Sequence, residues 1–454
     1  MAMVDLLPLF MFVALGFLLF TGFPVAFILG GVGLGFGLIG SAMGVFAPME
    51  FFNLVARIYG GVAENLILSA IPMFIFMGTM LERSGVAHEL LHCLQVLFRR
   101  LPGGLALAVT LLGTIMAATT GIVGASVVMM TLMALPIMLA RGYSTPLATG
   151  TIGAAGTLGI LIPPSIMLVI MADLLVTSVG TLFIAALIPG LLLSGLFLVY
   201  IMVVGVLRPD WAPPLPNAEG PESGWELTRM ILRSFLPPLF LMFLVLGSIA
   251  FGWATPTEAA GVGAFGAMLL AGINRQLSLP VLKDVLTRSM LTNAMLFLIF
   301  IGATAFAYVF RSLGGDYLVV DFIEGTGLGA WGTLALMMGV IFLLGFFLEW
   351  IEITLIVLPI FEPIIRILDF GTHLPAPDVV HWFALLVAIN LQSSFLTPPF
   401  GITLFYMKGT APPSVKIQQI YAGIIPFVLL QLLGLGLVIA FPQIALWLPH
   451  LVFD

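Results

Sequence analysis

The chain has 454 residues, 61% of them hydrophobic and 8% charged, with a net charge of −6 and a mean hydropathy of +1.22. A soluble domain carries about 25% charged residues, so this composition excludes one and points to an integral membrane protein, with the lipid bilayer rather than nucleic acid as its partner. The single Cys93 excludes an intrachain disulfide.

The useful unit is then a span of about 20 apolar residues. Asp5, and the lack of basic residues before the first apolar run, argue for a retained first helix rather than a cleaved signal peptide. Suitable runs begin near Val4, Pro24, Leu66, Thr145, Thr181, Pro237, Pro256, Met290, Val379 and Tyr421. Two further stretches, 103–141 and 331–366, carry small or polar residues in their middles, "TTGIVGAS" (Thr119 to Ser126) and "EWIEIT" (Glu349 to Thr354). A continuous span would put those groups in hydrocarbon. A re-entrant hairpin puts them at a tip shielded by protein. The expected fold is therefore all-α: about eleven spanning helices, two of them interrupted (145–177 and 379–407), plus two re-entrant hairpins. Ala87 to Arg100 and Glu226 to Phe235 read as amphipathic surface helices. A Pro-rich polar linker runs from Arg208 to Trp225.

Tracing this layout places 12 of the 15 Lys and Arg residues on one side. Only Arg57, Arg311 and Arg366 fall on the other, which the positive-inside rule makes the outside. Both termini then lie outside. The two halves also read alike. "ALPIM" (Ala134) and "VLPIF" (Val357) close the hairpins, and "LIPPS" (Leu161) and "LTPPF" (Leu396) follow them. "LERSG" (Leu81) and "FRSLGG" (Phe310) precede them, at offsets of 223 to 235 residues for the shared prolines Pro136/Pro359 and Pro163/Pro398. This divides the chain into a first repeat (1–207), a linker with an amphipathic arm (208–236) and a second repeat (237–454), entering the membrane in opposite directions. Inverted repeats with paired interrupted helices mark secondary transporters, with sites near the midplane.

Proline explains the interruptions. It lacks an N–H and clashes with the preceding turn, so the helix stops. The freed carbonyls are costly in hydrocarbon unless satisfied, and a hairpin tip with a bound cation can satisfy them. The half-helix starting after Pro164 or Pro399 aims N–H groups and positive dipole at the same place, which favours an anion. No Lys or Arg lies at the midplane, so Ser126, Thr157, Asn390, Ser394 and Thr397 are the remaining donors for a carboxylate.

"GIVGASVVMMTLMALPIM", "GTLGILIPPS", "NLQSSFLTPPFGITLFYMKG" and "IYAGIIPFVLLQLLGLGLV" resemble the large membrane subunit of TRAP (tripartite ATP-independent periplasmic) transporters, over nearly the whole chain. The resemblance implies an elevator-type, sodium-coupled importer of small organic acids in the bacterial inner membrane. Its implied partners are a small four-helix membrane subunit and a soluble periplasmic binding protein. Carried over by position, a first sodium site would involve Gly121, Gly124 and Ser126 with Thr157, Gly159 and Pro163. A second would involve Glu349 and Glu352 with Gln392, Ser393, Thr397 and Pro398. Many members have a Ser-rich first tip and an Asp near Glu349; this chain has neither. No other cofactor is implied.

Other motifs were weighed. "HELLH" (His88 to His92) matches a zinc-protease pattern, but it lies on the polar stripe of a surface helix and no third ligand stands out, so no zinc is expected there. "GVGLGFG" (Gly31 to Gly37) sits in an apolar span and reads as close helix packing. No Walker-type Gly-Lys-Ser/Thr exists, which fits a carrier without its own ATPase. The alternatives are a stand-alone sodium/carboxylate transporter of similar inverted design and, remotely, an intramembrane zinc protease.

Overall fold

The computed structural model describes residues 5–120, 123–214, 224–398 and 401–453. Gly121, Pro399 and most of the linker lie outside these. Every element in the described residues is helical. Among the described residues eight helices are long and apolar enough to cross a membrane, from Val25–Ala42 to Ile417–Ala440, and shorter apolar helices accompany them.

Both hairpins form. The first comprises Gly104–Thr120 and Val123–Ala140; the second, Gly329–Leu344 and Trp350–Ile367. Both interruptions form as well. The first interrupted helix runs as Thr145–Thr157, a 3-10 turn at Leu158–Ile160, and Ile166–Leu174. The second runs as Val379–Leu396 and then Ile402–Thr410. Pro163 and Pro164, joined by a cis peptide, and Pro398 stand in the gaps. At the first gap the Ser165 hydroxyl donates to the Ile160 carbonyl at 2.7 Å, one of the groups that the break leaves without a helical partner.

Two helices are longer than their apolar runs. The surface segment at 226–235 is continuous with the span that follows, as Gly224–Ala250. The span expected from Met290 begins earlier, as Leu279–Ser312. Its 34 residues make a rod of about 51 Å at 1.5 Å per residue, longer than the roughly 30 Å of hydrocarbon. The Arg83–Asp284 pair at 2.6 Å ties the start of this helix to the end of Ala70–Arg83, and Arg288 reaches the same Asp284 from within the helix at 3.1 Å.

Burial falls from the centre outward. The window ending at Leu396 is 94% buried, whereas Gly224–Ala250 is only 22% buried. The hairpin arm Val123–Ala140 and the spans Val179–Leu207 and Leu279–Ser312 lie between, at 50%, 56% and 50%. The spans other than the interrupted helices and hairpins are called the frame. Because hydrophobic burial does not drive helices together in lipid, close approach at small residues does. A Cβ on Gly423 would lie 1.9 Å from the Pro146 carbonyl oxygen, and one on Gly150 2.1 Å from that of Gly423. In the frame, a Cβ on Gly302 would lie 2.4 Å from the Ala26 carbonyl oxygen, and one on Gly33 3.0 Å from Phe306. Within the Gly31–Gly37 stretch Gly33 makes this approach, and a Cβ on Gly37 would meet Phe51 at 3.1 Å.

The contacts between halves are reciprocal. Val25–Ala42 packs on Leu279–Ser312, as Pro256–Ile273 packs on Ala70–Arg83. Val123–Ala140 meets Ile402–Thr410, as Trp350–Ile367 meets Ile166–Leu174. Ile417–Ala440 meets Thr145–Thr157, as Val179–Leu207 meets Val379–Leu396. Each pairing recurs with the halves exchanged.

Candidate functional site

The hairpin tips and the helix breaks converge. Tyr406, in the half-helix after the second break, lies against both tips. Its ring would meet a Cβ on Gly124 at 2.8 Å, so any larger residue at that position of the first tip would push the ring aside. Its hydroxyl donates to Glu349 of the second tip at 2.6 Å. The second tip also packs directly on the second break. A Cβ on Gly345 would fall 1.9 Å from the Ser394 hydroxyl oxygen, itself donating to the Leu391 carbonyl at 2.8 Å.

A cavity of about 680 Å³ separates this convergence from the frame. Gly124, Glu349, Glu352, Ile166, Ile402 and Tyr406 line its inner wall, and Thr292, Met295 and Ile299 its frame wall. Ile166 and Ile402 are the first residues of the two half-helices, and neither half-helix has a side-chain cap. Their N-termini therefore offer uncapped positive dipole ends beside the cavity, each worth about 0.3–1 kcal/mol to an anion when exposed and up to about 2 when partly buried. The second tip differs, because Glu352 accepts the Glu349 N–H at 2.9 Å and its helix start is already served by its own carboxylate.

Behind that wall lies a buried polar knot. Gln392 and Gln431 both point their amide N–H groups at the Thr157 hydroxyl oxygen, at 3.3 and 3.2 Å. Thr157, Gln392 and Gln431 have no exposed surface, and neither glutamine's amide oxygen has a partner. Buried polar groups are almost always satisfied, so two orphan oxygens in one knot are a place where a cation fits. The Thr403 hydroxyl, also buried, has no partner either.

The remaining expected residues divide in the same manner. Ser126, Gly159, Pro163 and Pro164 are buried at the first tip and break. Ser393 and Thr397 are at the second break, donating to the carbonyls of Ile389 (2.9 Å) and Ser393 (2.8 Å), with Pro398 half-buried beside them. Asn390 is buried and spends its N–H on the Met338 carbonyl at 2.7 Å, holding the first arm of the second hairpin. Sequence reasoning did not single out Tyr406 or Gln431. For Gln431 the signal was there, since an amide within an apolar run of Ile417–Ala440 is a functional candidate by default. Tyr406 in "LFYMKG" reads as an ordinary interfacial aromatic. His88, Glu89 and His92 are exposed, and the described residues hold no group of three or more His, Cys, Asp or Glu.

Residues 12–444 match the family described as "Tripartite ATP-independent periplasmic transporter, DctM component". The chain belongs to this family. It is accordingly a multi-pass large permease subunit of a TRAP transporter, and not an enzyme. It is 32% identical over 407 residues to the C4-dicarboxylate TRAP transporter large permease protein DctM of Pseudomonas aeruginosa, covering 89% of this chain and 91% of that one. It is 29% identical to the isethionate TRAP transporter permease protein DctMQ of Oleidesulfovibrio alaskensis, covering 98% of this chain and 66% of that longer protein. Among solved structures, the YdaH transporter of Alcanivorax borkumensis, reported as having an unusual topology, superposes with a TM-score of 0.61 over 88% of this chain and 90% of that one. At 14% identity that likeness concerns the fold alone.

Proposed function

We propose that this TRAP permease imports a small organic anion, delivered by a periplasmic binding protein, across the bacterial inner membrane by an elevator movement coupled to sodium. The moving body is the central one: hairpins 103–141 and 331–366 with the interrupted helices 145–177 and 379–407. The frame, together with a small membrane subunit, is the support. The two repeats, 1–207 and 237–454, are inverted about the 208–236 arm, with both termini periplasmic. Reciprocal contacts between the halves support that division, and the skewed distribution of basic residues supports the orientation.

The observation that carries this reading is the convergence of two tips and two breaks on one cavity beside the frame. Sodium would be held by oxygen atoms at the first tip and break (Gly121, Gly124, Ser126, Thr157, Gly159, Pro163) and at the second (Glu349, Glu352, Gln392, Ser393, Thr397, Pro398). The orphan oxygens of Gln392 and Gln431 fit such a hard cation. The cargo anion would face the uncapped half-helices after Pro164 and Pro399, with Ser126, Thr157, Asn390, Ser394 and Thr397 as supporting polar groups. Bound sodium would offset the charge of Glu349 and Glu352, which otherwise repel an anion from the same cavity.

The test is uptake by proteoliposomes holding the permease and its small subunit, with the binding protein outside. Radiolabelled succinate and isethionate are the first cargoes to try. An inward sodium gradient is expected to drive accumulation, and the double variant Thr157→Ala, Thr397→Ala to abolish it. Uptake indifferent to sodium, or unchanged in that variant, contradicts the proposal.

A further inference from the structure

A second cavity, of about 670 Å³, lies further along the same frame helix. Phe300, Thr304, Tyr308 and Arg311 line it, whereas Thr292, Met295 and Ile299 line the cavity at the tips. The two cavities are thus stacked along Leu279–Ser312, and the second sits toward its Arg311 end. Its opposite wall is Leu355 and Pro359 of the second hairpin and Asp173 of the first interrupted helix, with Arg57 completing the mouth.

The charge distribution here is uneven in an informative way. Few basic residues remain on the outer side, where the positive-inside rule depletes them. Of the three there, Arg57, Arg311 and Arg366, two line this one cavity. Arg57 has no hydrogen bond or ion pair among the described residues. Arg311 has a specific tether. Pro363 has no N–H to give the carbonyl four residues before it, and Arg311 donates to that Pro359 carbonyl at 2.8 Å. Asp316 stands 3.7 Å from the same guanidinium. A guanidinium has five donors, so part of the Arg311 fork stays available to the cavity. The one acidic residue in the lining, Asp173, is turned to Asn65, whose amide donates to it at 2.7 Å. Tyr308 is likewise committed, donating to Glu50 at 3.0 Å. What remains is the free guanidinium of Arg57 and part of that of Arg311 at one chamber, beside the seam between frame and moving body.

We propose that this chamber is a separate anion site, in which Arg57 and Arg311 receive the carboxylate or sulfonate of a small organic acid before it reaches the tips. Guanidinium matches the planar, two-oxygen edge of such groups better than an ammonium does. Long arginines at a membrane surface also snorkel for their own solvation, and the experiment separates that role from this one. The inference rests on the proposed outward placement of this end of the frame.

The test uses the permease with its small subunit in nanodiscs, with Cys93→Ser and a reporter Thr304→Cys in the chamber wall. The labelling rate of Cys at 304 is compared for an anionic and a cationic methanethiosulfonate, with and without succinate and with glycerol as the neutral control. The anionic reagent is expected to be favoured, and succinate but not glycerol to slow it. Arg57→Gln and Arg311→Gln should each weaken succinate protection by about tenfold or more, the loss of one charge-assisted hydrogen bond. Arg57→Lys keeps the charge and the fold, and should fall between. Gln392→Ala, in the polar knot at the breaks, should lose uptake yet keep the protection, so a failed sodium mechanism and a failed outer site give different results. Labelling that ignores succinate, or protection that survives loss of both arginines, overturns the proposal. The same labelling in sealed proteoliposomes, from outside only, tests the placement by itself.

Discussion

Thr157→Val is the substitution whose cost the structure specifies most closely. Valine keeps the shape of threonine and removes the one oxygen that two glutamines share. The Gln392 and Gln431 amides, 3.3 and 3.2 Å from it, would be left as donors without acceptors in a region with no exposed surface. An unsatisfied buried donor costs about 1–3 kcal/mol. Both bonds are at the long end of the usual range, so the lower part of that range applies, and about 2–3 kcal/mol is expected for the pair. Equilibrium unfolding in mixed micelles at low sodium would read it, against wild type in the same lipid. The triple variant Thr157→Val, Gln392→Leu, Gln431→Leu should recover much of that loss, because removing every partner of a buried network with apolar groups of similar shape can be nearly neutral. Thr157→Val with wild-type stability, or a triple variant no better than the single one, would refute the view of this knot as a strained polar island.

Other expectations follow from the same geometry. Sodium at about 100 times its dissociation constant should stabilise the wild type by about 2.7 kcal/mol, with potassium inactive; Gln392→Ala or Gln431→Ala should lose that increment in a thermal-shift titration. Gly423→Ala should cost about 1–3 kcal/mol from overpacking, since its Cβ would meet the Pro146 carbonyl at 1.9 Å, whereas Gly436→Ala, with nothing within 4 Å, should stay within about 0.5 kcal/mol. Asp316, on the surface helix Gly315–Thr326, is held above the ordinary carboxylate range by burial, with Arg311 pulling it down and Glu362 pushing it up. Its protonated form is the one that the fold favours. That contribution is fully present below the unfolded value of about 4 and is lost as pH rises through the folded value, so Asp316→Asn should flatten this part of a stability–pH profile.

The breaks were legible because each proline removes a helical donor locally and follows a stretch with a polar middle, and the structure has gaps at Pro163 and Pro398. Proline alone does not decide it, since Gly224–Ala250 runs on through Pro237 and Pro238. The hairpins were legible because a polar tip in an apolar stretch has few places to go. Helix lengths were less so: Pro280 stands in a first turn, where a helix tolerates it, and nothing in 226–236 breaks a helix, so the hydropathy pattern did not mark where these helices begin. The site was harder still. Tyr406 matters because it touches Gly124 and Glu349, residues 282 and 57 positions away, and Gln431 because it meets Thr157 from a helix of the other half. Neither relation leaves a local pattern. Asn390 shows the converse, as a polar residue at the expected depth whose hydrogen bond goes to helix packing.

The account depends on sodium being held where the tips meet the breaks. Binding of ²²Na⁺ to the purified permease and small subunit measures that directly. Saturable binding is predicted for the wild type and for Gly436→Ala, with loss in Gln392→Ala and in Thr397→Ala. Undiminished binding in both break variants, in protein that is folded by the unfolding assay above, would contradict it.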